Sequence, residues 1–181
     1  KRLQASPIAI QMPIGCEDHF RGVVDLVEEK ALVYDDDTPQ IPTEGPVPEE
    51  ILEEFRQNRD AMIEKIAETD DELTQKYIDG QEITKREIKE ALRKATIDYR
   101  LVPVVCGSAL RNKGVQPLLD AVGDYLPSPV DVEAAVGESS DGSVGDIVRE
   151  AKEEVPFSAL VFKSVADPFI GRLAYFRVYS G

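Results

Sequence analysis

The sequence predicts an α/β fold followed by the beginning of a β structure, on three observations. The apolar run Leu101-Val-Pro-Val-Val105 ends in the small residues Gly107-Ser108-Ala109 and leads into a helical pattern that starts near Val115 and stops at Pro127 and Pro129. Before it, β-branched runs give way to three amphipathic helical segments. After it come two strand-like runs, 156–165 and 172–179.

The elements follow in order. Residues 7–13 alternate apolar and other side chains, and 22–27 and 31–34 are rich in Val and Leu, so two or three strands are predicted with 15–20 as a turn. Residues 35–46 form a proline-punctuated loop; its run Asp35-Asp36-Asp37 lacks the spacing and closing Glu of a calcium loop and reads as a solvated turn. Pro48 suits a first helical turn, and Glu49, Glu50, Glu53 and Glu54 favour the positive end of the helix dipole. Ile51, Leu52, Phe55, Met62, Ile63 and Ile66 share one face of that helix. Thr69-Asp-Asp-Glu72 reads as a capping box for a short helix closed by Gly80, and Thr84-Lys-Arg-Glu87 as a second, for a helix reaching about Asp98. Residues 131–155, rich in Gly, Ser and acids, read as a mobile, solvated linker. The two last strands need further partners, because an isolated hairpin is marginal in water.

With 181 residues and 42% apolar content the chain is long enough to bury a core. Its formal charge of -14 repels polyphosphate, so direct nucleic-acid binding is not expected and a basic protein partner is favoured. The acidity is uneven: residues 48–90 carry fourteen acids and seven bases, whereas 91–130 carry three acids and five bases. Cys16 and Cys106 stand far apart, which fits a reducing compartment, with cytoplasm as the expectation. No run reaches membrane-spanning length, so no membrane partner is expected. The lack of an initial Met and the stop after a strand-like run suggest a piece of something larger.

Little chemistry is legible. His19, the single histidine, lies in a turn near Cys16, and a cysteine hydrolase built on that pair is the weakest reading; a surface turn accounts for it better. Carboxylates abound without a nominated acid/base pair, no metal cluster is expected, and no glycine-rich phosphate loop with its lysine occurs. Asn112-Lys113-Gly114-Val115 falls short of a guanine-reading Asn-Lys-x-Asp because Val115 has no carboxylate.

The run from Pro103 to Pro129, with Gln11-Met-Pro-Ile-Gly-Cys-Glu-Asp-His-Phe-Arg-Gly-Val-Val-Asp-Leu-Val27 before it and Phe162-Lys-Ser-Val-Ala-Asp-Pro-Phe-Ile-Gly-Arg-Leu-Ala-Tyr-Phe-Arg-Val-Tyr-Ser-Gly181 after it, resembles the elongation factor G family of translational GTPases. The likeness extends over nearly the whole chain and is weakest in the acidic linker. It implies a partial P-loop GTPase-type sheet with an inserted α/β subdomain, followed by the first strands of a β-barrel domain. Residues 1–100 would then be the insertion, 101–130 the last strand and helix of the GTPase domain, 131–155 the linker and 156–181 the start of the barrel. Ser108-Ala109-Leu110 matches the family's fifth GTPase motif, where the Ala109 amide would donate to guanine O6 and Ser108 would buttress the base-reading loop. The family's phosphate loop, switch regions, Asn-Lys-x-Asp and water-positioning histidine precede this stretch. GTP and Mg²⁺ are therefore implied for the longer protein, a ribosomal translocase that moves tRNA and mRNA, while this stretch is expected to bind neither and to be catalytically inert. The resemblance also implies a ribosomal partner, the C-terminal domain of stalk protein L7/L12, for which the exposed acids Glu50, Glu53, Glu54, Asp60 and Glu64 are a plausible complement. The rival expectation is an autonomous acidic protein-binding module.

Overall fold

The computed structural model describes residues 5–35, 41–138 and 146–181. The chain forms two units, Lys1–Leu126 and Pro127–Gly181. Among the described residues no helix is long and apolar enough to cross a membrane.

In the first unit the initial apolar stretch breaks into two strands, β1 (Pro7–Ala9) and β2 (Gln11–Ile14). β1 pairs in parallel with β6 (Val102–Val104), Ile8 facing Pro103. β2 instead opens an antiparallel sheet with β3 (Gly22–Asp25), β4 (Lys30–Val33) and β5 (Thr43–Gly45), in that order. One strand-like run thus feeds two sheets, and the fold is mixed α/β with parallel and antiparallel pairing.

Alternation along β2, β3 and β4 sends Met12, Val24 and Ala31 into the main core. The helices α1 (Leu52–Ala67) and α3 (Lys85–Ile97) cover that face: Phe55, Met62 and Ile66 from α1 and Ile88, Leu92 and Ala95 from α3 join the same cluster. Ile8, Leu101 and Tyr125 belong to it too, so the segments before and after residue 100 share one core. Complete burial of Ile66, Ile88 and Leu92 contributes roughly 1.5–3 kcal/mol each relative to exposure. The opposite sheet face carries a smaller cluster, Phe20, Val23, Leu32 and Tyr34, with Cys106 packed against it.

Local chemistry sets the helix ends. Thr84 caps α3 in a full capping box, its hydroxyl accepting the Glu87 N–H while Glu87 accepts the Thr84 N–H. The expected box at Thr69 is displaced by one residue. Asp70 caps α2 (Asp71–Ile78), accepting the N–H groups of Glu72 and Leu73, and the Thr69 hydroxyl turns back to the Ile66 carbonyl. A carboxylate is the stronger acceptor at the positive helix end, so aspartate takes the cap. The helix expected from Pro48 begins with a 3-10 turn, Glu49–Ile51, and becomes α-helical at Leu52.

Two further differences concern loops. β5 lies in the stretch 35–46 read as loop, flanked by Pro42 and Pro46; at a sheet edge a proline forfeits no ladder bond. The remainder of that expectation, residues 36–40, falls outside the described residues. In the second unit the stretch read as linker contains β7 (Ala135–Glu138) paired antiparallel with β8 (Asp146–Arg149). Residues 139–145, also part of that reading, lie outside the described residues. The expected final strands are β9 (Ser158–Asp167) and β10 (Gly171–Ser180), an antiparallel hairpin. Its turn is held by Asp167, which accepts the N–H groups of Phe169 and Ile170 at 2.8 Å each.

Candidate functional site

The strand-to-helix connection after β6 is built by backbone geometry. Beyond Val104 the chain passes through Cys106 and Gly107, makes a 3-10 turn at Ala109–Arg111, and enters α4 (Val115–Tyr125). Ser108 and Lys113 close the loop through paired bonds, Ser108 N–H to Lys113 O at 2.8 Å and Lys113 N–H to Ser108 O at 3.0 Å. Asn112 and Gly114 both sit in the left-handed region, where asparagine and glycine are the residues that settle with least cost. A Cβ on Gly107 would lie 2.8 Å from the Lys113 carbonyl, and one on Gly114 would lie 2.8 Å from the Cys106 carbonyl, so the two limbs touch where only hydrogens fit. Pro117 falls in the first turn of α4, where its missing N–H leaves no gap.

Ser108, Ala109 and Leu110 are brought together at the carboxyl end of the parallel strand β6. A shallow cleft of about 160 Å³ opens there, lined by Cys106 to Ala109, Gly114 and Leu118 among others. The first N–H groups of a 3-10 turn have no acceptor within it. Consistent with that, the amides of Ala109 and Leu110 donate to no backbone carbonyl among the described residues. Ser108 is occupied, its carbonyl accepting from Arg111 and Lys113. The Leu110 side chain is wholly exposed and covers nothing.

The loop is anchored from a direction that sequence reasoning missed. Lys113 is only 3% exposed and donates to the Phe20 carbonyl at 3.3 Å, while Arg111 pairs with Asp18 at 2.8 Å. Both tie the β6–α4 loop to the turn between β2 and β3. The signal available was a lysine flanked by glycine inside a small-residue loop, which resembles a solvent-facing charge in one dimension. The Tyr34 phenol lies near this loop, and burial raises it above its usual range. Burial likewise pushes the Cys106 thiol up, away from the thiolate that a nucleophile requires.

Cys16 and His19 share the exposed turn, joined by a backbone bond from His19 N–H to Cys16 O at 2.9 Å and by no side-chain bond. Among the described residues no group of three or more His, Cys, Asp or Glu could hold a metal ion.

The acidic residues of the first helical segment lie elsewhere. Glu53, Asp60 and Glu64, spaced by seven and four, share a stripe of α1, with Glu54 beside it and Glu50 in the preceding 3-10 turn. All five are exposed. Arg21 lies 3.9 Å from Glu50 and Arg56 lies 3.9 Å from Glu53, so their charge is only loosely compensated. Asp60 and Glu64 approach Tyr77 of α2, whose phenol is raised by partial desolvation and by those two charges. The stripe and the Ser108–Leu110 loop are separate features of the first unit, and the fold does not merge them into one site.

No family model matches the chain. Its structure is similar to the crystal structure of a protein from Thermus thermophilus, with 30% sequence identity and a TM-score of 0.71. The similarity covers 97% of this chain and 23% of that protein, so the chain spans about a quarter of its length.

Proposed function

We propose that this chain is part of a translational GTPase of the elongation factor G type, and that Ser108, Ala109 and Leu110 form one wall of its guanine pocket. The observation that carries this reading is the pair of uncommitted amides at Ala109 and Leu110, held at the carboxyl end of a parallel strand, where α/β sheets place their ligands. Small side chains at Gly107 and Ala109 let a planar base approach those donors. The sequence resemblance along nearly the whole chain supports the same reading, as does the likeness to a far longer protein.

On this reading the pieces take roles. Residues 1–100 form an insertion in the GTPase domain, 101–130 its last strand and helix, 131–155 a connecting segment that includes the β7–β8 pair, and β9 and β10 the first strands of a β-barrel. Apolar side chains left uncovered support further packing partners: Leu118 and Val122 on α4, Val102 and Val104 on β6, and Phe162 and Phe176 on the hairpin. GTP and Mg²⁺ belong to the longer protein, which hydrolyses GTP to drive tRNA and mRNA movement on the ribosome in the cytoplasm. The stretch itself supplies a base-recognition wall and no hydrolytic group. The stripe of Glu53, Asp60 and Glu64, with Glu50 and Glu54, is the surface offered to the basic C-terminal domain of stalk protein L7/L12.

Reading the codons immediately upstream of Lys1 tests this assignment. An encoded Asn-Lys-x-Asp a short distance before Lys1 supports it, and its absence overturns it. A second reading, an autonomous acidic binding module, is favoured by the exposed α1 stripe alone; it requires the isolated chain to capture the stalk domain in a salt-sensitive complex.

A further inference from the structure

A second cavity, of about 520 Å³, lies within the first unit between the antiparallel sheet and α4. Its floor follows from strand register. Gln11 lies opposite Asp25, Asp25 opposite Lys30, and Leu32 opposite Glu44; directly opposed residues project from the same face. That face turns away from the main core that receives Met12, Val24 and Ala31. Asp120 and Asp124, one helical turn apart on α4, face it from the other side.

Two independent features distinguish the cavity. The first is charge. Five carboxylates line it against two ammonium groups. Lys30 is engaged by Glu44 at 2.7 Å, and Lys89 by Glu28 at 2.7 Å and Asp124 at 3.5 Å. Asp25 and Asp120 form no ion pair among the described residues. The second is Gln11, 6% exposed, whose Oε1 has no hydrogen-bond partner. A buried amide oxygen left unpaired bears its full desolvation penalty, and an apolar residue would avoid that penalty on a strand whose next residue is Met12. Burial also holds the Asp25 carboxyl above its usual range, although it accepts the N–H groups of Val27 and Glu28.

The unpaired Gln11 oxygen and the surplus carboxylates are all acceptors, so a ligand complementary to them is a donor and a cation. The carboxylates are too dispersed for a metal ion, since no metal-holding group occurs among the described residues. They suit a molecule with separated positive charges, and the volume is that of a small-ligand pocket. We propose that this cavity binds an aliphatic polyamine, one ammonium lying between Asp25 and the Gln11 carbonyl and another at Asp120 and Asp124. The methylene spacers would cross Leu32 and Ala121 on the floor and roof.

Calorimetric titration of the full chain with spermidine tests the proposal. The expected result is saturable binding at one site, weakened about tenfold or more by Asp120→Asn, an exposed position that does not threaten folding, and likewise by Gln11→Leu where that variant folds. Paired Glu68→Gln and Glu82→Gln changes, at exposed positions outside the cavity, should leave it unaltered. Absence of saturation, or equal weakening by these distant changes, would overturn it as diffuse charge attraction. Equally tight binding of Nα-acetyl-lysine amide, a single ammonium, would overturn it in favour of a partner protein's lysine.

Discussion

Lys113 buries its ammonium against the carbonyl of Phe20, 3.3 Å away across ninety-three residues of sequence. This contact, with the Arg111–Asp18 pair, holds the loop after β6 on the β2–β3 turn and so fixes where the Ala109 and Leu110 amides point. Replacing the ammonium while keeping the stem, Lys113→Met, should lower stability by about 2 kcal/mol, because a charged hydrogen bond is lost and the Phe20 carbonyl loses its donor. A urea unfolding midpoint equal to that of the parent would contradict this.

The glycines of the same region separate steric need from mere tolerance. Gly114, at φ +83° with a Cβ position 2.8 Å from the Cys106 carbonyl, should not accept a side chain: Gly114→Ala should cost at least about 1–2 kcal/mol. Gly123 sits near the end of α4 with nothing within 4 Å of its Cβ position. There, Gly123→Ala should stabilise by about 0.5–1 kcal/mol. Thermal melts of the two variants should therefore move in opposite directions.

Glu87 links helix capping to pH. Its bond to Lys76, and then its bonds with Thr84, hold its carboxyl at about 2. Because the folded value lies below the unfolded one, the carboxylate's contribution is fully present above about pH 4.5 and is lost as pH falls toward 2. Acid unfolding of Glu87→Gln should show a shallower dependence on pH across that interval. An unchanged slope would remove Glu87 from the account.

The proposed stalk contact of the α1 stripe predicts a graded response. Single rim charges contribute under about 1 kcal/mol, so Glu53→Lys alone should change affinity for the L7/L12 C-terminal domain only slightly. The combination Glu53→Lys, Asp60→Lys and Glu64→Lys should abolish the salt-sensitive part of binding. Retention of that part in the triple variant would place the interface elsewhere.

Much of this architecture is legible in the sequence because it rests on local signals. The Thr84–Glu87 box, the apolar face of Phe55, Met62 and Ile66, and the proline stop after α4 are each written within a few neighbouring residues. What was not legible depends on pairing across distance. β5 is three residues between prolines and becomes a strand only because Leu32 offers Glu44 a partner. β7 and β8 have a linker's composition and acquire strand character by pairing with each other. The cap moved from Thr69 to Asp70 because two adjacent residues could serve and the stronger acceptor took the position. At the candidate site, the small-residue turn Gly107-Ser108-Ala109 was readable as the end of a strand, and it does follow β6. The buried role of Lys113 and the polar face of Gln11, Asp25 and Lys30 emerged only once the register was known.

The proposed guanine wall at Ala109 is tested most directly by nucleotide binding to the complete gene product. Fluorescence of mant-GDP should report tight binding that excess ADP does not reverse. Ala109→Pro, which removes the one N–H assigned to guanine O6, should weaken that binding at least about tenfold. Parent and variant binding mant-GDP equally, or displacement by ADP as readily as by GDP, would contradict the assignment.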